Sequence, residues 1–224
     1  MTRLVIAVDG PGGSGKSTVS RLLGSRLGIP HLDTGAFYRA AALVVLRAGV
    51  DPGDQEMVPS VVDAAEYRQV EGRTLIGEED VSDEIRTEAV TAASSLVAAN
   101  QQVRAGMVDR QRAWVASNGG SAVVEGRDIG TVVFPDASLK VWLDASPEER
   151  ARRRAVEAGA EASLVEQSLA ERDHRDSTRE ASPLRPADDA VLIDTTGMTA
   201  EETADLILAL LEEEQAGVEV EPSR

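Results

Sequence analysis

Residues 10–18, Gly-Pro-Gly-Gly-Ser-Gly-Lys-Ser-Thr, limit most sharply what this 224-residue chain can fold into. They fit the pattern G-x-x-x-x-G-K-[ST] and stand between an apolar run, Arg-Leu-Val-Ile-Ala-Val at 3–8, and a segment in which Val19, Leu22, Leu23 and Leu27 recur at helical spacing. A glycine-rich turn from a buried strand into a helix lets successive backbone N–H groups converge on phosphate oxygens at the helix N-terminus. Gly10, Pro11, Gly12, Gly13, Ser14 and Gly15 form the turn, and its inner glycines can take backbone angles closed to other residues. Lys16 is placed to add a point charge between the outer phosphates of ATP, Ser17 to offer a hydroxyl to Mg²⁺, and Thr18 to offer one to a phosphate nearer the ribose.

Beyond this turn, apolar runs at 121–124, 138–143 and 190–193 alternate with helical segments near 35–48, 54–64, 83–98, 101–117, 147–158, 163–178 and 199–214. Such alternation predicts a parallel sheet flanked by helices. Aromatic residues make up only 3% of the chain, so Val, Leu, Ile and Ala must fill its core. Residues 66–82 break the pattern, and strand-like pieces around Glu71-Gly72 and Glu79-Asp80 predict a small antiparallel insert. The segment 157–163, small and polar between two arginine-bearing helices, suits the tip of a mobile flap and equally a surface loop. We expect one domain over 1–214, with its core at 1–65, 83–146 and 179–214, the insert at 66–82, a helical lid at 147–178 and a frayed tail at 215–224.

Composition removes several classes of function. With no cysteine there is no thiolate site, only His31 and His174 leave little for a zinc site, and any metal should be a hard cation held by oxygen and phosphate. The formal net charge of −16 opposes nonspecific nucleic-acid binding, which relies on positive surface, and much of it sits in the acidic stretch after residue 200. No apolar run reaches membrane-spanning length and no leader-like N-terminus is present, which predicts a soluble cytoplasmic protein.

The phosphate loop does not choose among kinase, GTPase, motor and sulfotransferase. A guanine-reading Asn-Lys-x-Asp element is missing, since neither Lys16 nor Lys140 follows Asn, and Asp194-Thr195-Thr196-Gly197 lies too late in the chain to serve as a GTPase motif. Three further segments carry arginine. Leu32-Asp33-Thr34-Gly35-Ala36-Phe37-Tyr38-Arg39 ends a short strand and starts a helix that Thr34 can cap, with Arg39 facing a second phosphate. Residues 124–135, Val-Glu-Gly-Arg-Asp-Ile-Gly-Thr-Val-Val-Phe-Pro, leave the carboxyl end of a central strand, where open α/β sheets bind ligands. Residues 171–179 place Arg172, Asp176 and Arg179 on one helix face.

Together these segments resemble the bacterial-type cytidylate kinase family, from Val5 to about Thr196. The resemblance implies a nucleoside monophosphate kinase fold with a five-stranded parallel sheet, an inserted antiparallel subdomain and a helical lid. It also implies phosphorylation of CMP or dCMP by ATP with Mg²⁺, in a monomer. Carried over by position, Thr34, Tyr38, Arg39, Ser95, Arg104, Arg127, Arg172, Asp176 and Arg179 are the implied CMP contacts, with Ser94 competing with Ser95 for the base-reading hydroxyl.

The residues themselves leave alternatives open. Ser95 and Arg104 could be ordinary helix surface, and Asp176 could merely pair with Arg172. Arg127 suits a bidentate grip on phosphate, while Asp128 could hold Arg127, a metal-bound water or the substrate, or serve structure alone. Among the arginines at 150 and 152–154 not all can face one way, and Arg153 and Arg154 are the favoured lid contacts to the transferring group. His31 and His174 receive no catalytic role, and Trp114 and Trp142 are assigned to the core. Competing functions are a P-loop kinase for another small acceptor, such as UMP, AMP, shikimate or dephospho-coenzyme A, and a nucleotide-dependent interaction protein using its acidic C-terminal helix.

Overall fold

A computed structural model of the chain describes residues 3–159 and 161–216. Ala160, at the expected flap tip, and residues 217–224 of the expected tail lie outside the described residues. In chain order the elements are β1 (Val5–Asp9), α1 (Lys16–Leu27), β2 (His31–Asp33), α2 (Thr34–Arg47), α3 (Met57–Asp63), β3 (Tyr67–Val70), β4 (Arg73–Ile76), β5 (Glu79–Asp80), α4 (Glu88–Val97), α5 (Gln101–Ser117), β6 (Ala122–Gly126), β7 (Leu139–Asp144), α6 (Pro147–Ala158), α7 (Ala162–Thr178), β8 (Val191–Asp194) and α8 (Ala200–Gln215).

Five strands form one parallel sheet in the order β2-β6-β1-β7-β8. In register, Asp9 lies opposite Gly126 on one side and Trp142 on the other, so the carboxyl end of β1 is the centre of the ligand-binding edge. Ile6, Val8, Val123, Val141, Leu143 and Ile193 of this sheet are buried with Val19 and Leu23 of α1 and Ile207 and Leu211 of α8. The near-continuous apolar strands follow from cover by helices on a parallel sheet.

The chain divides into two compact units, one running to His31 and resuming at Val115, the other spanning Leu32–Trp114. In the second unit β3, β4 and β5 make an antiparallel sheet, with Tyr67 opposite Ile76 and Leu75 opposite Asp80. Glu71 and Gly72, both at positive φ, turn β3 into β4, and Glu79-Asp80 is the strand β5.

Two local expectations are corrected. The helix predicted over 83–98 is broken: a short helical turn at Glu84–Arg86 stops at Thr87, whose extended backbone starts α4 afresh. Thr34 is not the cap of α2. Asp33 has the extended backbone of a cap and accepts the Ala36 N–H at 2.9 Å, which leaves Thr34 as the first, buried helical residue.

Candidate functional site

In the first unit the phosphate loop is built where backbone crowding admits little but glycine. Gly10 has φ 146°, and a Cβ there would lie 2.0 Å from the Leu143 carbonyl oxygen. Gly13, at φ 79°, would bring a Cβ within 2.6 Å of the Arg150 carbonyl oxygen. Lys16 opens α1 and folds back over the loop, its Nζ donating to Pro11 O at 2.6 Å and Ser14 Oγ at 3.2 Å. Burial, and next the charge of Arg127, bring the Lys16 amine down to about 7, so a phosphate held against Nζ would favour its charged form.

The floor of the site is made of carboxylates at strand ends. Asp9 accepts from Ile129 N at 2.9 Å and Gly130 N at 2.8 Å, and its burial raises it to about 6. These two bonds fix a wide helical turn over Ile129–Val133, in which Phe134 N–H reaches back to Ile129 O. Asp128 starts that turn, buried, with its carbonyl accepting from Val132 and Val133. Glu125, at the end of β6, accepts from Ser17 Oγ at 2.8 Å and lies 3.0 Å from His31 Nε2.

Above the loop stand the arginines. Arg127 Nη1 donates to Gly10 O at 3.2 Å and lies 3.3 Å from Asp173, while its Nε is 3.4 Å from Asp176. Asp176 is buried and also pairs with Arg179 at 3.7 Å. Arg150, rated below its neighbours from sequence, touches the loop: it donates to Gly12 O at 3.2 Å and to Asp173. Arg153 is instead bound to Glu149, Thr195 and the Met198 carbonyl, Arg152 pairs with Glu149 in the open, and Arg154 is half-buried on α6. Arg172 is half-buried on α7.

Beside the loop is a cavity of about 310 Å³, whose lining includes Gly13, Thr18, Arg153, Val156, Met198 and Thr203. Thr195, which the sequence offered only as part of a discarded motif, is buried at its edge and donates to Asp144 O at 2.9 Å.

In the second unit, Arg39 pairs with Asp33 at 2.9 Å, and its buried Nε has no hydrogen-bond partner among the described residues. Gln69 of β3 clamps Asp33 from both sides, accepting its N–H at 3.1 Å and donating to its carbonyl at 2.6 Å. Trp114, only half-buried, donates Nε1 to Gln69 O at 3.1 Å, while Trp142 in the first unit is core as expected. Ser95 and Arg104 are both buried, unlike ordinary helix surface. The Arg104 guanidinium lies 5.3 Å from the Tyr38 ring centroid and donates to Ala98 O at 3.2 Å. The Ser94 hydroxyl is spent on its own helix, donating to Thr91 O at 2.7 Å.

Sequence reasoning passed over Asp9, Glu125, Gln69, Arg150 and Asp173. Asp9 and Glu125 had a readable signal, since each is a carboxylate at the carboxyl end of a strand next to glycine. Gln69 had none, because its partner is 36 residues away, and Asp173 lies within the 171–179 motif but its partner in the loop is 161 residues away.

A strand that ends in a glycine-rich phosphate loop, at the centre of a five-stranded parallel sheet with a separate antiparallel sheet, defines a P-loop kinase fold. Solved structures agree on the fold: an uncharacterized protein from Eubacterium ventriosum aligns with TM-score 0.57 at 13% identity over 95% of this chain and 99% of that one. A sugar kinase from Janibacter sp. aligns with TM-score 0.50 at 18% identity over 94% and 95%. The family model for cytidylate kinase matches residues 6–213, and the chain belongs to that family. It is 49% identical to a cytidylate kinase of Mycobacterium leprae over 97% of this chain and 100% of that one, and 45% identical to one of Geobacter sulfurreducens over 95% and 94%. Among the described residues no helix is long and apolar enough to cross a membrane.

Proposed function

We propose that the chain phosphorylates CMP and dCMP to CDP and dCDP with ATP, by direct in-line transfer. A phosphate oxygen of the monophosphate attacks the γ-phosphorus, the bond from that phosphorus to the β,γ-bridging oxygen breaks, and ADP leaves with that oxygen. Most of the residues' work is alignment and charge compensation, not proton abstraction. The loop N–H groups and Lys16 receive the donor phosphates, with Thr18 beside them. The cavity lined by Thr18, Val156 and Met198 suits the purine in size and in its mix of apolar and hydroxyl groups.

The observation that carries the acceptor reading is the buried Arg104 against the face of Tyr38, in the same unit as the buried Ser95. Cytosine differs from uracil in offering an exocyclic amine and an accepting ring nitrogen, so reading it takes an acceptor and a donor, which Ser95 or Asp176 and Arg104 can supply. Thr34 and Arg39 belong to the same set, and the unpartnered Arg39 Nε suits a phosphate oxygen. Arg127, Arg172, Asp176 and Arg179 complete the monophosphate contacts by family resemblance, and Asp128 supports Arg127. The α6–α7 arm serves as a lid that excludes water, and Arg153 and Arg154 belong to it.

Magnesium fits the donor set. Magnesium binds chiefly through nucleotide phosphates and needs few protein ligands, so one hydroxyl suffices. Ser17 would hold it, with Glu125 orienting the hydroxyl, and the bound ion would neutralise phosphate charge. A cytoplasmic monomer is part of this reading.

A coupled assay with Mg-ATP across CMP, dCMP, UMP, AMP and shikimate tests it. CMP and dCMP are expected to lead in kcat/KM, and a clear lead for UMP, AMP or shikimate ends the assignment.

A further inference from the structure

Asp173 has no task in the reaction as described, yet its carboxylate meets three donors from three separate elements. Gly12 N–H reaches it at 3.4 Å from the phosphate loop, Arg127 Nη1 at 3.3 Å from beyond β6, and Arg150 Nη1 donates to it from α6. The two arginine side chains are 16% and 13% exposed and that of Asp173 is 17%, so water screens the group only weakly. Each arginine is also tied to the loop backbone, at Gly10 O and Gly12 O.

The electrostatics say why a carboxylate stands there. Lys16, Arg127 and Arg150 bring three positive charges to one loop, and Arg127 is the largest charge effect lowering the Lys16 amine. Such a cluster repels itself until phosphate arrives, and a fixed carboxylate bonded to both guanidiniums offsets that repulsion. A simple surface ion pair would engage one partner. Here Asp173 and Asp176, one turn apart on α7, hold Nη1 and Nε of Arg127 and so fix the plane of its fork. The buried Nε of Arg150 has no hydrogen-bond partner among the described residues and only a loose ion pair with Asp144 at 3.9 Å, so it can turn to an oxyanion.

We propose that Asp173 is a positioning residue, whose carboxylate holds Arg127 and Arg150 at the loop so that both guanidiniums stand ready when the donor phosphates arrive. In consequence Arg150 is an α6 arginine bonded directly to the phosphate loop. The inference rests on the reading of the loop as a phosphate site.

The test is Asp173→Asn, which keeps the shape and removes the charge. Turnover should fall about tenfold or more and the KM for ATP should rise, with a smaller rise in the KM for CMP, whose phosphate Arg127 is also placed to contact. On an Arg150→Ala background the same substitution should cost less than in the wild type, because one of the two groups it positions is gone. Calorimetry with a non-hydrolysable ATP analogue should show weaker binding to Asp173→Asn. Unchanged kinetics, costs that simply multiply in the double variant, or tighter analogue binding would each overturn the proposal, the last because it would make the carboxylate a competitor of phosphate. If the amide variant does not fold, Asp173→Ser carries the same outcomes. Failure of the wild type to bind the analogue sinks the phosphate-site reading itself, whereas wild-type binding with an unaffected Asp173 variant sinks only the positioning role.

Discussion

Arg127 in the first unit and Arg104 in the second are guanidiniums removed from water, and they are held in opposite ways. Arg127 is gripped by carboxylates, Asp173 at 3.3 Å and Asp176 at 3.4 Å. Arg104 lies over the neutral face of Tyr38 and donates to a neutral carbonyl, Ala98 O. A carboxylate can be exchanged for another anion with little change in the local field, so Arg127 is suited to phosphate. The ring and carbonyl contacts of the second fork suit it to present a fixed plane to an uncharged ring. On the proposed reading the same residue type serves charge in one unit and shape in the other.

The largest expected effect lies on the charge side. Lys16→Ala should lower kcat by roughly 10³-fold, about 4 kcal/mol of transition-state stabilisation. Near-normal turnover in a steady-state assay would remove the loop from the chemistry.

Asp176→Ala probes the buried carboxylate that the sequence places on the acceptor side. Its KM for CMP should rise about thirtyfold, near 2 kcal/mol, with the KM for ATP changed less than about twofold. Equal rises for both substrates would mean that Asp176 matters only as a partner of Arg127.

Arg104→Lys keeps the charge but loses the planar fork. If Arg104 reads shape, the preference for CMP over UMP in kcat/KM should drop about tenfold while turnover of saturating CMP stays within about threefold. A preference left intact would break the comparison.

The smallest effect concerns Asp9. Its native value is raised from 3.8 to about 6, so the folded state binds the proton more tightly than the unfolded chain does, and the stability tied to that proton is lost as pH rises through about 6. The stability of wild type relative to Asp9→Asn should therefore fall by about 1 kcal/mol between pH 5 and pH 7, measured by urea unfolding. A flat difference would show that burial does not set this group.

Much of the fold was legible because it is local. Helices over 101–117 and 147–158 coincide with α5 and α6, and the four apolar runs each fall within a residue or two of a strand. The break at Thr87 was not legible, since nothing in the apolar spacing of 83–98 interrupts the helical period. The α2 cap was assigned to Thr34, one residue late, because both Asp33 and Thr34 are good capping types and only backbone angles separate them. Within the candidate site, Glu125 and Asp173 lie inside motifs read from the sequence and still went unassigned, because their partners stand 108 and 161 residues away.

By itself the sequence determined the phosphate loop, because a turn that must bring N–H groups together at a helix start depends on glycines at fixed spacing and on the lysine that follows them. Only the tertiary structure decided that Arg150 of α6 bonds that loop and that Asp173 sits between two guanidiniums. Those outcomes depend on how α6, α7 and the loop pack, and a side chain's neighbours across 23 to 161 residues of chain leave no period or motif in the sequence.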